Sequence, residues 1–137
     1  MTLEHRLLQG VVALACLLPL LVGGQGIVHG PAPFGHLADV PRDLDSHFRY
    51  ISGIFFATGL GFLSCIPHIE TKGPRFRLLG GLIVVGGLAR LVSLIDVGMP
   101  SRGHVLGLGM EILVVPLLML WQARLARRAL SNTGPNP

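Results

Sequence analysis

The sequence predicts an all-α protein, an antiparallel bundle of four transmembrane helices, and two observations support this. First, the chain of 137 residues is 50% hydrophobic and 13% charged, with a mean hydropathy of +0.64, whereas soluble domains carry about 25% charged residues. Second, the apolar residues fall in four runs, each close to the ~20 residues that a helix needs to cross a bilayer. The runs lack the alternation of barrel strands, so helices are expected.

The predicted spans are residues 7–28, 48–66, 76–95 and 104–121. Helix breakers separate them at residues 30–33, at Pro67, at residues 73–74 and at residues 98–100. Pro19 and Pro116 fall within spans, where we expect them to kink the helices. We predict one membrane domain over residues 1–126, followed by a basic, disordered tail over residues 127–137.

The first span also has features of a secretory signal peptide, because Arg6 precedes its apolar run. However, the run is long for that role and three more spans follow it, so we interpret it as a retained helix.

The basic residues predict the orientation of the chain. With four spans, both termini and the middle loop share one side, which receives Arg6, Lys72, Arg75, Arg77, Arg124, Arg127 and Arg128. The other side receives Arg42, Arg49 and Arg102. The positive-inside rule therefore places both termini in the cytoplasm. Because the basic residues cluster between apolar runs and not beside aromatic residues on a soluble face, no nucleic-acid partner is expected.

Two opposite charges lie inside apolar runs, Arg90 in the third and Glu111 in the fourth. A charge at membrane depth costs ~2.5–3.5 kcal/mol on insertion scales, so each needs a partner. Arg90 precedes Asp96 by six residues and Glu111 follows His104 by seven. At 1.5 Å per residue, both lie roughly 9–10 Å from the outer ends of consecutive antiparallel helices. The sequence therefore predicts an ion pair between Arg90 and Glu111.

Other polar residues fall in the same layer and predict a polar pocket in the outer half of the bundle. Its predicted lining is Gln25, His29, Arg49, Tyr50, Arg90, Ser93 and Glu111, with Asp45 and Asp96 at the rim. Structural roles stay open as alternatives: the ion pair would then only fix the helix register, and Arg49 would extend to lipid phosphates. The histidines have no diagnostic spacing, so neither a metal nor a cofactor is predicted.

Three stretches, residues 45–55, residues 86–93 closing at Asp96, and residues 111–116, resemble a known family. They are similar to the domain-of-unknown-function 4345 family, small bacterial membrane proteins with four predicted helices. The Phe-Arg-Tyr-x-Ser-Gly run of residues 48–53 and the Gly-Leu-Ala-Arg-Leu run of residues 87–91 are the more specific parts. The resemblance implies a multi-pass protein of the bacterial inner membrane from the first helix to Trp121. It assigns no activity, and Arg49, Tyr50, Arg90 and Glu111 match its pattern without assigned roles.

Three functions are compatible with this sequence. In the first, the pocket binds a lipid-like or other amphipathic small molecule, with Arg90 holding an anionic or carbonyl group. Glu111 would then serve as an acid or base if the protein is an enzyme, which the sequence leaves undecided. In the second, the chain is a non-catalytic accessory or assembly subunit of a larger membrane complex, or forms a homo-oligomer. The third, a small transporter or channel, suits paired ionisable groups but lacks inverted repeats.

Overall fold

The computed structural model describes residues 2–131, and these residues contain helices but no strand. The elements are α1 (Leu3–His29), α2 (Ala32–Gly35), α3 (Arg42–Leu63), α4 (Gly73–Val97), α5 (Arg102–Gly109), a π-helical turn (Met110–Val114) and α6 (Val115–Ser131). The all-α prediction is confirmed. The chain divides into two compact units, the α1–α3 unit of Gly10–Ile66 and the α4–α6 unit, which comprises residues 2–9 and 67–131 of the described chain.

Three helices are long and apolar enough to cross a membrane: Leu3–His29, Gly73–Val97 and the continuous helix Arg102–Ser131. In the most apolar 18-residue stretch of each helix, only 11% to 28% of the residues are buried within the protein. Apolar helix surface on this scale is typical of segments that lipid surrounds. These helices indicate a membrane protein.

The predicted second span lies in α3, which is not among these three helices. Its first half is polar, because Arg42, Asp43, Asp45, His47 and Arg49 all fall there. The fourth crossing of the predicted bundle therefore stays a prediction.

Close contacts at small residues join α1 and α3 into an antiparallel hairpin. A Cβ atom on Gly23 would lie 2.9 Å from backbone atoms of Ser52 and Phe56. Further along, a Cβ atom on Gly59 would lie 3.1 Å from the Pro19 ring. The contact positions rise along one helix as they fall along the other. Helices in membranes approach closely at such small residues.

Glycines at seven-residue intervals, Gly73, Gly80 and Gly87, place α4 against the last helix. A Cβ atom on Gly87 would lie 2.8 Å from the Cβ atom of Glu111, and one on Gly80 would lie 2.8 Å from Cγ of Met119. A seven-residue repeat keeps one seam facing its partner along a pair of supercoiled helices. The α4–α6 unit is therefore a second antiparallel hairpin, with Arg90 one turn from the Gly87 contact.

The end of α6 corrects the predicted tail, because residues 127–131 are helical. Leu125, 2% exposed, anchors this part of α6, and Arg128 donates a 2.7 Å hydrogen bond to Glu4. Basic side chains in the last turn also complement the helix dipole. The rest of the predicted tail, residues 132–137, lies outside the described residues.

Candidate functional site

Arg90 and Glu111 form a bidentate ion pair in the α4–α6 unit, as predicted. Nε of Arg90 donates to Oε2 of Glu111 at 3.0 Å, and Nη2 donates to Oε1 at 3.2 Å. Glu111 is 8% exposed, and the Arg90 side chain is 36% exposed. Two parallel charge-assisted hydrogen bonds fix the plane of the guanidinium as well as its position.

The local structure around Glu111 follows from Pro116. Proline has no N–H and its ring presses on the carbonyl four residues earlier, so an α-helix cannot continue unchanged through it. The chain forms the π-helical turn Met110–Val114 just before this proline, and the N–H of Val115 bonds to the carbonyl of Met110. A wider turn that contains Glu111 thus lies just before the proline where a kink is predicted. π-Helical turns are rare and frequently occur at functional sites.

Because residue 87 of α4 is a glycine, the π-helical turn can approach the backbone of α4 closely. A Cβ atom at this position would lie 2.8 Å from Cβ of Glu111 and 2.9 Å from Cδ1 of Ile112. A larger residue would push Glu111 away from α4. The ion pair therefore depends on Gly87, because the close approach at this glycine sets the distance between Arg90 and Glu111.

Arg90 keeps one donor group that Glu111 does not use. The carboxylate occupies Nε and Nη2, and no acceptor for Nη1 is recorded within the described part of the α4–α6 unit. An N–H group without a partner in an apolar layer is costly, on the order of a few kcal/mol. Glu111 therefore compensates the charge of Arg90, and Nη1 of Arg90 still presents a hydrogen-bond donor at a partly exposed position.

Arg49, a second predicted site residue, has a structural role within the α1–α3 unit. Its Nε donates to Oδ2 of Asp45 at 2.8 Å, and its Nη1 donates to the carbonyls of Ile27 and Val28 at 2.5 and 3.0 Å. These carbonyls belong to the last turn of α1, where the helix itself supplies no N–H donors for them. Arg49 thus caps the carboxyl end of α1 and connects it to α3.

The remaining predicted site residues are exposed, namely Gln25, His29, Tyr50, Ser93 and Asp96. The structure records no hydrogen bond for their side chains within residues 2–131. Their part in a pocket stays a prediction. Over the same residues, no group of three or more His, Cys, Asp and Glu side chains is placed to hold a metal ion.

One polar cluster of the structure has no signal in the sequence. In the α4–α6 unit, Glu4 accepts a hydrogen bond from Nε1 of Trp121 at 3.3 Å and another from Nη1 of Arg128 at 2.7 Å. These contacts border an open groove of about 480 Å³ along α6. The sequence predicts the basic residues after Trp121 only as part of the cytoplasmic side, because nothing local connects them or Trp121 to Glu4.

The helices and the ion pair define a membrane protein of apolar α-helices that contains a bidentate Arg90–Glu111 ion pair. Residues 7–122 match the family described as a domain of unknown function (DUF4345), and the chain belongs to that family. The match runs from the start of α1 into α6 and includes both Arg90 and Glu111. No curated protein and no solved structure matches the chain.

Proposed function

We propose that this protein binds a lipid-like or other amphipathic small molecule through Arg90. The observation that carries the proposal is the Nη1 donor of Arg90, for which no acceptor is recorded among residues 2–131, on a guanidinium whose other edge is held by Glu111. In an apolar layer such a donor gains most from an oxygen that arrives with its own apolar chain. An ester carbonyl or a phosphate beside an acyl or isoprenoid chain has this chemistry.

The two charged residues have different parts in this proposal. Both oxygens of Glu111 accept hydrogen bonds from Arg90, and its 8% exposure leaves little surface for a ligand. Glu111 is therefore a positioning residue that orients the guanidinium and compensates its charge. Arg90 is the group that contacts the ligand. Because the pair is neutral as a whole, a neutral carbonyl is as suitable an acceptor as an anion.

The proposal includes a bundle of four crossings with both termini in the cytoplasm. Its support is the antiparallel contact of α3 with α1, from the Gly23 contact to the Gly59 contact. At 22 residues, α3 is about 33 Å long, close to the ~30 Å thickness of the hydrocarbon. Because α3 packs along α1 in the opposite direction, it would cross the hydrocarbon back to the side on which α1 begins.

Native mass spectrometry of the purified protein tests ligand binding. The wild type should retain a small amphipathic molecule, and Arg90→Lys should retain less because an ammonium cannot hold the carboxylate and a ligand in the same planar geometry. Arg102→Gln is the matched control, since Arg102 is exposed on the same hairpin. A wild type without any retained molecule, or equal retention by both variants, would contradict the proposal.

A second candidate function, an accessory subunit of a larger membrane complex, rests on a different observation. Gly81 and Gly86 on α4 face open space, as do Gly103 and Gly107 on α5. Small residues at open positions allow another membrane helix to approach closely. Cross-linking in native membranes should then give a discrete larger species, which Gly86→Leu should reduce. Migration of the wild type as a monomer in mild detergent would count against this function.

A further inference from the structure

We propose that the α4–α6 unit carries a second and separate site, a groove along α6 that binds an anionic phospholipid by its phosphate. The groove has a volume of about 480 Å³ and is lined by Glu4, Leu117, Leu120, Trp121, Arg124 and Arg128. Leu117, Trp121, Arg124 and Arg128 follow one another at intervals of three or four residues, and Leu120 lies beside Trp121, so the α6 members share one side of the helix. This face is distinct from the one that presents Glu111 to Arg90.

The side chains along the groove change from apolar to aromatic to cationic. Leu117 and Leu120 are 64% and 63% exposed, Trp121 follows, and Arg124 comes one turn later. Leu117 to Arg124 spans seven residues, or roughly 10 Å. A phospholipid presents its acyl chain, ester region and phosphate in the same order. Tryptophan is enriched at the ester level of bilayers.

The length of the helix places Arg124 at the headgroups. The continuous helix Arg102–Ser131 has 30 residues and is therefore about 45 Å long, whereas the hydrocarbon is about 30 Å thick. The helix therefore extends beyond the hydrocarbon, and its arginines at positions 124, 127 and 128 favour the C-terminal end as the part that does so. Arg124 then lies where the phosphates of one leaflet are found.

Charge complementarity decides the kind of lipid. The carboxylate of Glu4 is already paired with Arg128 and accepts a hydrogen bond from Trp121. Arg124 is exposed, and no ion pair is recorded for it among residues 2–131. The same end of this hairpin also carries Arg6, Lys72, Arg75, Arg77 and Arg127. This excess of cations favours an anionic headgroup over a zwitterionic one.

Binding of two lipids with identical acyl chains, phosphatidylglycerol and phosphatidylcholine, tests the inference by native mass spectrometry of the full chain in detergent. The wild type should bind phosphatidylglycerol more tightly. Arg124→Gln should lower that preference about fivefold, the expected contribution of one basic residue near an anionic surface. Arg102→Gln, an exposed arginine at the opposite end of the hairpin, should leave the preference unchanged.

The outcomes separate this site from the one at Arg90. The double variant Arg90→Met, Glu111→Leu should keep the headgroup preference even if it loses the ligand of the proposed function. Equal binding of both lipids by the wild type would overturn the groove proposal, and so would an equal loss in Arg102→Gln. A loss in the double variant but not in Arg124→Gln would assign the lipid to Arg90 instead. Circular dichroism of each variant checks that it is folded.

Discussion

Gly87 and Glu111 approach so closely that a Cβ atom on the glycine would lie 2.8 Å from the Cβ atom of the glutamate. One residue earlier, Gly86 has no atom within 4 Å of the same position. These neighbours have different surroundings because one faces the π-helical turn and the other faces away from it. The Arg90–Glu111 pair therefore depends on the absence of a side chain at a single position of α4.

Gly87→Ala should destabilise the protein, and Gly86→Ala should not. The added methyl at position 87 has to displace Glu111 or Ile112, and overpacking of this kind typically costs about 1–3 kcal/mol. At position 86 the methyl enters open space, where alanine is the better helix former. Unfolding in mixed micelles measures both variants. An equal effect of the two substitutions would contradict the close packing of α4 against the π-helical turn.

Removal of one charge should harm stability more than removal of both. Arg90→Ala leaves Glu111, 8% exposed, without its partner, and breaking a buried pair costs about 3–5 kcal/mol. We expect a value near the lower limit because the Arg90 side chain is 36% exposed.

The double variant Arg90→Met, Glu111→Leu should recover most of this loss, since apolar replacements of a buried pair are often neutral. The same micelle titration checks it. If the double variant is stable but no longer retains the amphipathic molecule, the pair is functional. If it is as unstable as Arg90→Ala, the π-helical turn itself depends on the carboxylate.

Arg49→Gln should loosen the last turn of α1 without unfolding the rest of the α1–α3 unit. The guanidinium bonds to the carbonyls of Ile27 and Val28, and glutamine is too short to reach them while keeping the contact with Asp45. Hydrogen exchange should become faster in the last turn of α1, whereas the middle of the helix should not change. Arg42→Gln is the control on the same helix, because Arg42 is exposed at the start of α3. Equal exchange in both variants would contradict the capping role.

The ion pair was predictable from the sequence because two general quantities determine it. The cost of an isolated charge in lipid requires a partner, and the rise per residue places Arg90 and Glu111 at similar depth on neighbouring helices. The π-helical turn was not predictable. Pro116 indicates a disturbance, but whether the helix kinks or widens depends on what packs against it, here Gly87 and the rest of α4.

Two roles required knowledge of tertiary contacts. The sequence predicts Arg49 as a pocket residue or a lipid-facing one. Its role as a helix cap depends on the end of α1 lying beside the start of α3. The Glu4–Arg128 contact joins residues 124 positions apart, so no local pattern indicates it. The seam of Gly73, Gly80 and Gly87 does have a sequence signal, a seven-residue repeat, but adjacent glycines such as Gly86 obscured it.

The number of crossings can be decided by reporter fusions, and the two possibilities give opposite patterns. If α3 crosses the membrane together with the three long apolar helices, fusions after Thr71 and after Ser131 report the cytoplasm and a fusion after Met99 reports the outside. If α3 does not cross, the fusions after Thr71, Met99 and Ser131 all report the reverse. We expect the first pattern, because α3 packs along α1 in the opposite direction and its second half, from Ile51 to Leu63, has no charged residue. The reverse pattern would remove the four-span bundle but leave the Arg90–Glu111 pair of the second hairpin intact.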